Sequence, residues 1–422
     1  MKKKILILNL LLMMVLIIGC TKNTKGESNT SKDAGKSDTI GNVGNKDKSN
    51  EIKNQDNSNK QDINKKDTNK QDKKQLNIKS YYPIKENTRY TYEGTGNEYA
   101  NYNIYTEYTG KGKVQNRVDN GGTVLAEVIE VNDKAVTKII SRPEAYYREG
   151  LLGDKTLSSR DKKKDEILLK APIQEGNTWT LNDGRKRTIT NTSIDVKTPM
   201  KSYKAIEVTT EGKGREKTVD YYAKDVGLVK SVFVSYGMEV KSELKAIDEN
   251  AKLTQKIKFY YGYHDDDKLE YKLDYKEKDV VFKTNDISRQ ILEKTYKDVL
   301  KGTGATALTK NTKINYLYLN KDGMVYIDLS KDFIKELNAG AGYESIILDS
   351  IAATFGNYYN AKKVVLTIDG GDYKSGHIVL GKGDYLKVKT KDTVKDEPIK
   401  EDTVKEENIK SDINSYLSLI HI

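Results

Sequence analysis

The 422-residue chain has one cysteine, three histidines, one tryptophan and five prolines. A lone cysteine excludes an internal disulfide framework and any zinc site built on cysteine pairs. Three histidines leave little material for metal or triad chemistry, and no G-x-S-x-G or H-E-x-x-H pattern occurs. Gly110-Lys111-Gly112 and Gly381-Lys382-Gly383 lack the helix entry that a phosphate loop needs. His264-Asp265-Asp266-Asp267 reads as a solvated turn rather than a cation site. Neither an enzyme, a cofactor nor a metal is expected.

The net charge of +11 suggests nucleic acid until it is located. Lys2, Lys3 and Lys4 supply three charges, and residues 21–80 supply five more through 14 lysines against 9 acids. The remaining 342 residues carry only +3. No basic footprint remains for nucleic acid.

The first twenty residues are the most specific feature. Three lysines precede an apolar stretch from Ile5 to Ile18, too short for an ordinary spanning helix and suited to a signal peptide. It ends in Leu16-Ile17-Ile18-Gly19-Cys20, which resembles the bacterial lipobox. That resemblance implies a cut before Cys20 and acylation of its thiol. The acyl chains would hold the mature protein on the outer face of a membrane, each buried methylene contributing about 0.8 kcal/mol.

Residues 21–80 are Lys, Asn, Asp, Ser and Gln with almost no apolar side chains, and an Asn-Lys-x-Asp unit recurs every five residues from Asn59. Such a segment cannot offset its ordering entropy and reads as a disordered tether. A second charged segment follows Val388, with Lys391-Asp392-Thr393-Val394 echoed by Glu401-Asp402-Thr403-Val404 at a period of ten. It too reads as disordered. The final Leu417–Ile422 breaks that repeat and reads as an artefact of truncation or frame.

Between these flanks the chain predicts an α+β protein of two units. Residues 81–250 show short segments rich in β-branched and aromatic residues, separated by Asn-Gly and Asp-Gly signals. A curved antiparallel sheet, open or partly closed, is expected, with only residues 160–169 ambiguous. Its tyrosines are expected to fill half-buried strand faces rather than line a glycan or peptide groove. Residues 251–389 change rhythm. Two short strands precede an amphipathic helix over 284–301, capped by Thr284 or Asn285, with Ile287, Ile291, Leu292 and Tyr296 inward. A hairpin across Asn320-Lys321-Asp322-Gly323, a helix over 342–357 and a strand over 363–368 complete it.

Four pieces of this second unit occur in family order: Val325-Tyr326-Ile327-Asp328-Leu329-Ser330; Gly340-Ala341-Gly342-Tyr343-Glu344; Ile351-Ala352-Ala353-Thr354-Phe355; and Val364 through Asp369-Gly370. In that order they resemble the GerMN domain of sporulation and spore-germination lipoproteins, over about a third of the chain. The resemblance implies a compact fold similar to ring-building modules, which work through surfaces rather than catalysis. It implies structural roles for Asp328, Ser330, Gly342, Glu344, Thr354, Asp369 and Gly370. Arg289, Lys294 and Lys297, with Glu293 and Asp298 among them, are expected to project from the first helix as an interface. The expected partners are the lipid bilayer, through acylated Cys20, and an envelope protein or a second copy. The function expected is a membrane-anchored, non-enzymatic envelope scaffold, with sporulation or germination as the setting that the resemblance implies. The alternative is a lipoprotein whose β domain binds a lipid, glycan or peptide.

Overall fold

The computed structural model describes residues 76–153, 162–212 and 214–389, with side chains of the second stretch from residue 165. The signal peptide, lipobox, charged tail and most of the tether therefore lie outside the described residues. The end of the expected tether is corrected: Ile78–Tyr81 form a turn of 3-10 helix capped by Asn77, because Ile78 is apolar and buries itself in the core of the first lobe. The described residues all belong to one compact unit.

Twelve strands make one antiparallel sheet: β1 (Arg89–Thr95), β2 (Tyr102–Gly110), β3 (Lys113–Asp119), β4 (Val124–Val131), β5 (Ala135–Arg142), β6 (Lys162–Lys170), β7 (Thr178–Thr180), β8 (Lys186–Lys197), β9 (Ser202–Glu211), β10 (Lys217–Ala223), β11 (Gly227–Ser235) and β12 (Met238–Asp248). Their order is β6-β5-β4-β3-β2-β1-β12-β11-β10-β9-β8-β7, two meanders joined where β1 pairs with β12. The sheet curls until its ends meet through side chains. Trp179 Nε1 on β7 donates to the Ile167 carbonyl on β6 at 3.0 Å, and Arg187 Nη1 donates to the same oxygen at 2.7 Å. Of residues 160–169, ambiguous by period, those from Lys162 onward belong to β6, an end strand of this sheet.

Alternation sends Val114, Ile129, Val131, Val136 and Leu169 inward to meet Trp179, Ile189, Ile206, Val208 and Tyr222 from the other half. Charges share the interior. Lys138 pairs with Glu127 at 2.9 Å, Arg187 with Glu166 at 3.0 Å, and Ser231 Oγ donates to Asp220 at 2.6 Å. Burial raises the Asp220 carboxyl and raises the hydroxyls of Tyr102 and Tyr222. The barrel-like interior is thus filled by packed aliphatic side chains together with paired charges and tyrosines.

The second lobe opens with a long hairpin, β13 (Leu253–Asp265) and β14 (Glu270–Phe282). Then come α1 (Ser288–Leu300), β15 (Ile314–Leu319), β16 (Val325–Leu329), α2 (Asp332–Leu337), α3 (Ala341–Tyr359), β17 (Lys363–Ile368), β18 (Gly371–Lys374), β19 (Val379–Leu380) and β20 (Leu386–Lys387). The sheet order is β15-β16-β17-β18-β19, with β16 and β17 parallel and β20 also on β17. α3 is apolar on several sides because it is sandwiched. Ile346 and Ala353 face Tyr260 and Leu273 of the hairpin, while Ile347, Ile351 and Phe355 join the core containing the sheet residues Val325, Ile327 and Val364. Gly262 is where that sandwich is tightest, since a Cβ there would lie 2.5 Å from Ile346 Cγ2.

Three expectations for this lobe are corrected. α1 starts at Ser288, not at residue 284, and neither Thr284 nor Asn285 caps it; Ile287 holds the N-cap position without a side-chain bond. Thr284 is instead buried, donating to the Thr106 carbonyl at 2.7 Å, and Asn285 reaches the Thr109 amide at 2.8 Å. Ile287, placed in the core by period, is 46% exposed. The short helix α2, with buried Phe333 and Leu337, was not anticipated.

The two lobes are bolted together by residues 143–153, the irregular segment that follows β5. Arg117 on β3 pairs with Glu107 at 2.7 Å and donates to the carbonyls of Ala145 and Tyr147. Gln115 adds bonds to Glu107 and to the Glu149 carbonyl. So held, the segment inserts Tyr147 into the core of the second lobe, 4.9 Å from the Tyr359 ring. It also places Arg148, fully buried, across the seam. Its guanidinium donates to the carbonyls of Glu107 and Lys283 at 3.0 and 2.9 Å and to that of Asp286, and lies over the Tyr108 ring at 4.1 Å.

Candidate functional site

The family positions form a skeleton around the second lobe rather than an exposed site. Asp328, at the inner end of β16, is buried and accepts from Thr367 Oγ1 at 2.5 Å, from the Gly370 amide at 2.8 Å and from Asn315 Nδ2 at 2.8 Å. It ties β15, β17 and the following turn together. Asp369 and Gly370 both adopt left-handed backbone, as a two-residue hairpin between β17 and β18 requires. Ser330 Oγ accepts from the Lys313 amide at 3.0 Å. A Cβ at Gly342 would touch the Tyr271 ring at 3.0 Å. Glu344 is buried and accepts the Tyr373 hydroxyl at 2.7 Å. Burial, then the Glu344 carboxylate, raises that hydroxyl far above its ordinary value.

Thr354 joins three elements at once. Its Oγ1 accepts from the Tyr260 amide at 2.9 Å and donates to the Tyr296 hydroxyl at 3.0 Å, and that hydroxyl donates to the Tyr260 carbonyl at 2.5 Å. Replacing Thr354 by valine keeps the shape and leaves the Tyr260 amide without its acceptor. A buried orphan donor costs about 1–3 kcal/mol. Thr354→Val should therefore lower stability by that amount in denaturant unfolding while leaving the surface unchanged; an unaltered midpoint would refute this junction.

The exposed feature is a groove of about 750 Å³ between α1 and β15. Arg289, Lys294, Lys297, Lys310 and Lys313 line it against two carboxylates, Glu293 and Asp298. All three candidate interface residues thus reach one groove, but they differ in kind. Lys294 is 81% exposed and only loosely paired with Asp298, at 3.9 Å. Arg289 stands near the Tyr316 hydroxyl and lowers it against the burial that raises it. Lys297 keeps only 19% of its side-chain surface: it pairs with Glu293 at 3.0 Å and donates to the carbonyl of Thr312. It is a strut of the groove floor rather than a projecting charge.

Glu293, expected among the exposed charges, is buried because its carboxylate accepts the Ile314 amide at 2.9 Å and so closes α1 onto β15. Burial alone would raise its carboxyl, but the Ile314 amide, Lys297 and Lys313 outweigh it and hold the group below its ordinary value. Lys310 and Lys313 were not singled out in the sequence. Both lie in the segment that leads into β15, and the fold brings that segment beside α1.

The remaining candidate chemistry is local. His264 pairs with Asp266 at 2.7 Å and Asp265 with Lys272, all at the tip of the β13–β14 hairpin, and no metal-ligating cluster occurs among the described residues. A shallower groove of about 400 Å³ on the barrel is lined by Tyr92, Tyr102, Asn101, Asn103 and Lys245, the two rings stacked at 4.4 Å.

A charged surface groove on a rigid α+β lobe is the equipment of a binding module. Residues 258–374, which build the groove and the skeleton beneath it, match the Germane family, described as sporulation and spore germination. No curated protein matches the chain. Three solved structures are similar in part. One, described as an exported protein with a YmcC-like fold from Bacteroides fragilis, is 14% identical, covering 39% of this chain and 97% of its own, with a TM-score of 0.24. A protein from Parabacteroides distasonis described as a lipoprotein is 13% identical over 40% of this chain and 98% of its own, with a TM-score of 0.19. Another so described, from Clostridium perfringens, is 23% identical over 32% and 93%, also at 0.19. Likeness at these TM-scores supports no statement about function.

Proposed function

We propose that the protein is an extracytoplasmic lipoprotein, anchored through Cys20, that serves as a non-enzymatic scaffold in the cell envelope, in sporulation or spore germination. The observation that carries this reading is the basic groove, built by the very segment that matches the Germane family. A rigid skeleton positions that groove, and the buried titrating groups near it are already paired with one another. The barrel lobe favours the scaffold over a lipid-binding alternative, because packed apolar side chains and paired charges already fill its interior.

Anchor and groove are separately testable. Cys20→Ala removes the only thiol in the chain and should abolish incorporation of labelled palmitate and leave an uncleaved precursor. Palmitate uptake by that variant would refute the anchor. Arg289→Glu with Lys294→Glu should leave the melting temperature within a degree or two, since exposed pairs contribute about 0–1 kcal/mol. The same variant should lose its envelope partner, because like charges set against each other at an interface cost several kcal/mol. Undiminished recovery would remove the groove from the account.

A further inference from the structure

We propose that the groove is a strand-addition site, and that its occupant is the acidic repeat following Lys389 in this same chain. The proposal rests on the reading of the groove as a docking surface and names what docks there.

The groove has a sheet edge as one wall. β15 ends the strand order, with β16 on one side only, and α1 stands beside its other side. An edge strand presents backbone donors and acceptors to any extended chain that can lie alongside it. Glu293 already takes the Ile314 amide and the Tyr359 hydroxyl reaches the Leu317 carbonyl at 3.4 Å, so the added strand would start its pairing at Asn315 and Tyr316, the strand residues that line the groove. The cations around it decide what kind of strand is admitted. Five cations face two carboxylates, and a basic strand would be repelled.

The tail has the matching chemistry. Residues 391–407 contain seven acids and four lysines, a net charge of −3 opposite the groove's +3. The repeated centre, Asp392-Thr393-Val394 and Asp402-Thr403-Val404, places two β-branched residues between acids, as an added strand would use them. Pro398 lies outside both centres, so neither loses a needed amide.

Reach is sufficient. The Val388 amide donates to the Lys362 carbonyl at 3.0 Å, and Lys389 pairs with Asp349 at 2.9 Å, so the tail departs beside the first residues of β17. Val364 there is registered with Val325 on β16, which faces Leu319 on β15. Five residues along β15 and two strand spacings across separate that point from the groove, about 20 Å in all. An extended chain gains up to ~3.5 Å per residue, so the dozen residues before Asp402 span about 40 Å. A segment tethered this closely acts at an effective concentration of order millimolar. An outside partner would have to displace it, and the groove would be masked until a more acidic or better-fitting strand arrives.

The test is hydrogen exchange at residues 314–319 in the full-length Cys20→Ala chain. It is compared with the same chain in which the seven acids of 391–407 are replaced by their amides. Exchange of Asn315 and Tyr316 should be about tenfold faster in the amide variant, and a synthetic peptide of residues 399–409 at millimolar concentration should restore protection. Adding Arg289→Glu and Lys294→Glu to the unaltered tail should likewise speed exchange. Equal exchange in both chains, with no protection by the peptide, overturns the proposal. Protection by the peptide alone overturns the tail as occupant and leaves an acidic-strand site for another chain. Tail protection together with undiminished partner recovery by the double reversal would instead fault the docking reading.

Discussion

Arg148→Ala should destabilise the protein by about 3–5 kcal/mol, the largest effect expected of any single substitution here. The guanidinium is fully buried and satisfies the carbonyls of Glu107 and Lys283 at once. Alanine deletes these charge-assisted bonds, each contributing about 1.5–3 kcal/mol, and opens a void under Tyr108 and Phe282, while the Asn285 and Asp286 amides still donate to the two oxygens. Arg148→Lys should recover little, because one ammonium cannot span the fork that reaches both lobes. Since the seam joins the two lobes, the alanine variant should also unfold in two steps where the native chain unfolds in one. A single transition at the native midpoint would refute the clasp. The same seam bears on a fragment of residues 251–389: it would lack Tyr147 and Arg148, and its folding alone depends on how well water replaces them.

Lys297→Glu should cost about 3 kcal/mol, whereas Lys294→Glu, one turn earlier on the same helix, should change stability by less than about 0.5 kcal/mol. The contrast follows from surroundings alone. Lys297 sits over the buried Glu293 carboxylate, and reversal sets two carboxylates together beside the β15 amide they share. Lys294 stands in water. The pH dependence carries the same signature. Glu293 is held below its ordinary value near 4.5. Its contribution to stability is therefore complete above that value and is lost as pH falls through the lower, folded one. Glu293→Gln should be less stable than the native chain at neutral pH and should lose less on acidification below about pH 4.5. Parallel acid limbs in thermal melts would show that the carboxylate is not held as described.

These contrasts show what was legible in the sequence and what was not. Local chemistry was. Asn320-Lys321-Asp322-Gly323 announced the β15–β16 turn, where Gly323 is left-handed and Asp322 accepts the Met324 amide at 2.8 Å. Asp369-Gly370 announced the next tight turn, and four short motifs announced the second lobe. Long-range polar burial was not legible. β3, with the sequence Lys-Val-Gln-Asn-Arg-Val-Asp, reads as polar on one face, yet Gln115 and Arg117 on that face are buried against the inserted segment. Nothing near Arg148 in sequence says that its partners lie 41 and 135 residues away. The helix period likewise could not tell Lys297 from Lys294. What separates them is β15, whose position is set by the fold of the whole lobe.

The measurement that tests the central claim most directly is site-specific photo-crosslinking in living cells, with the crosslinking residue placed at Lys294 on the groove and, separately, at Lys204 on the barrel. Lys204 is 70% exposed and pairs only with Asp195, so it is an equally accessible control. The account predicts a discrete envelope-protein or self-adduct from position 294, lost when Arg289→Glu is added, and none from position 204. Adducts of equal yield from both positions, or from position 204 alone, would contradict a docking role for the groove.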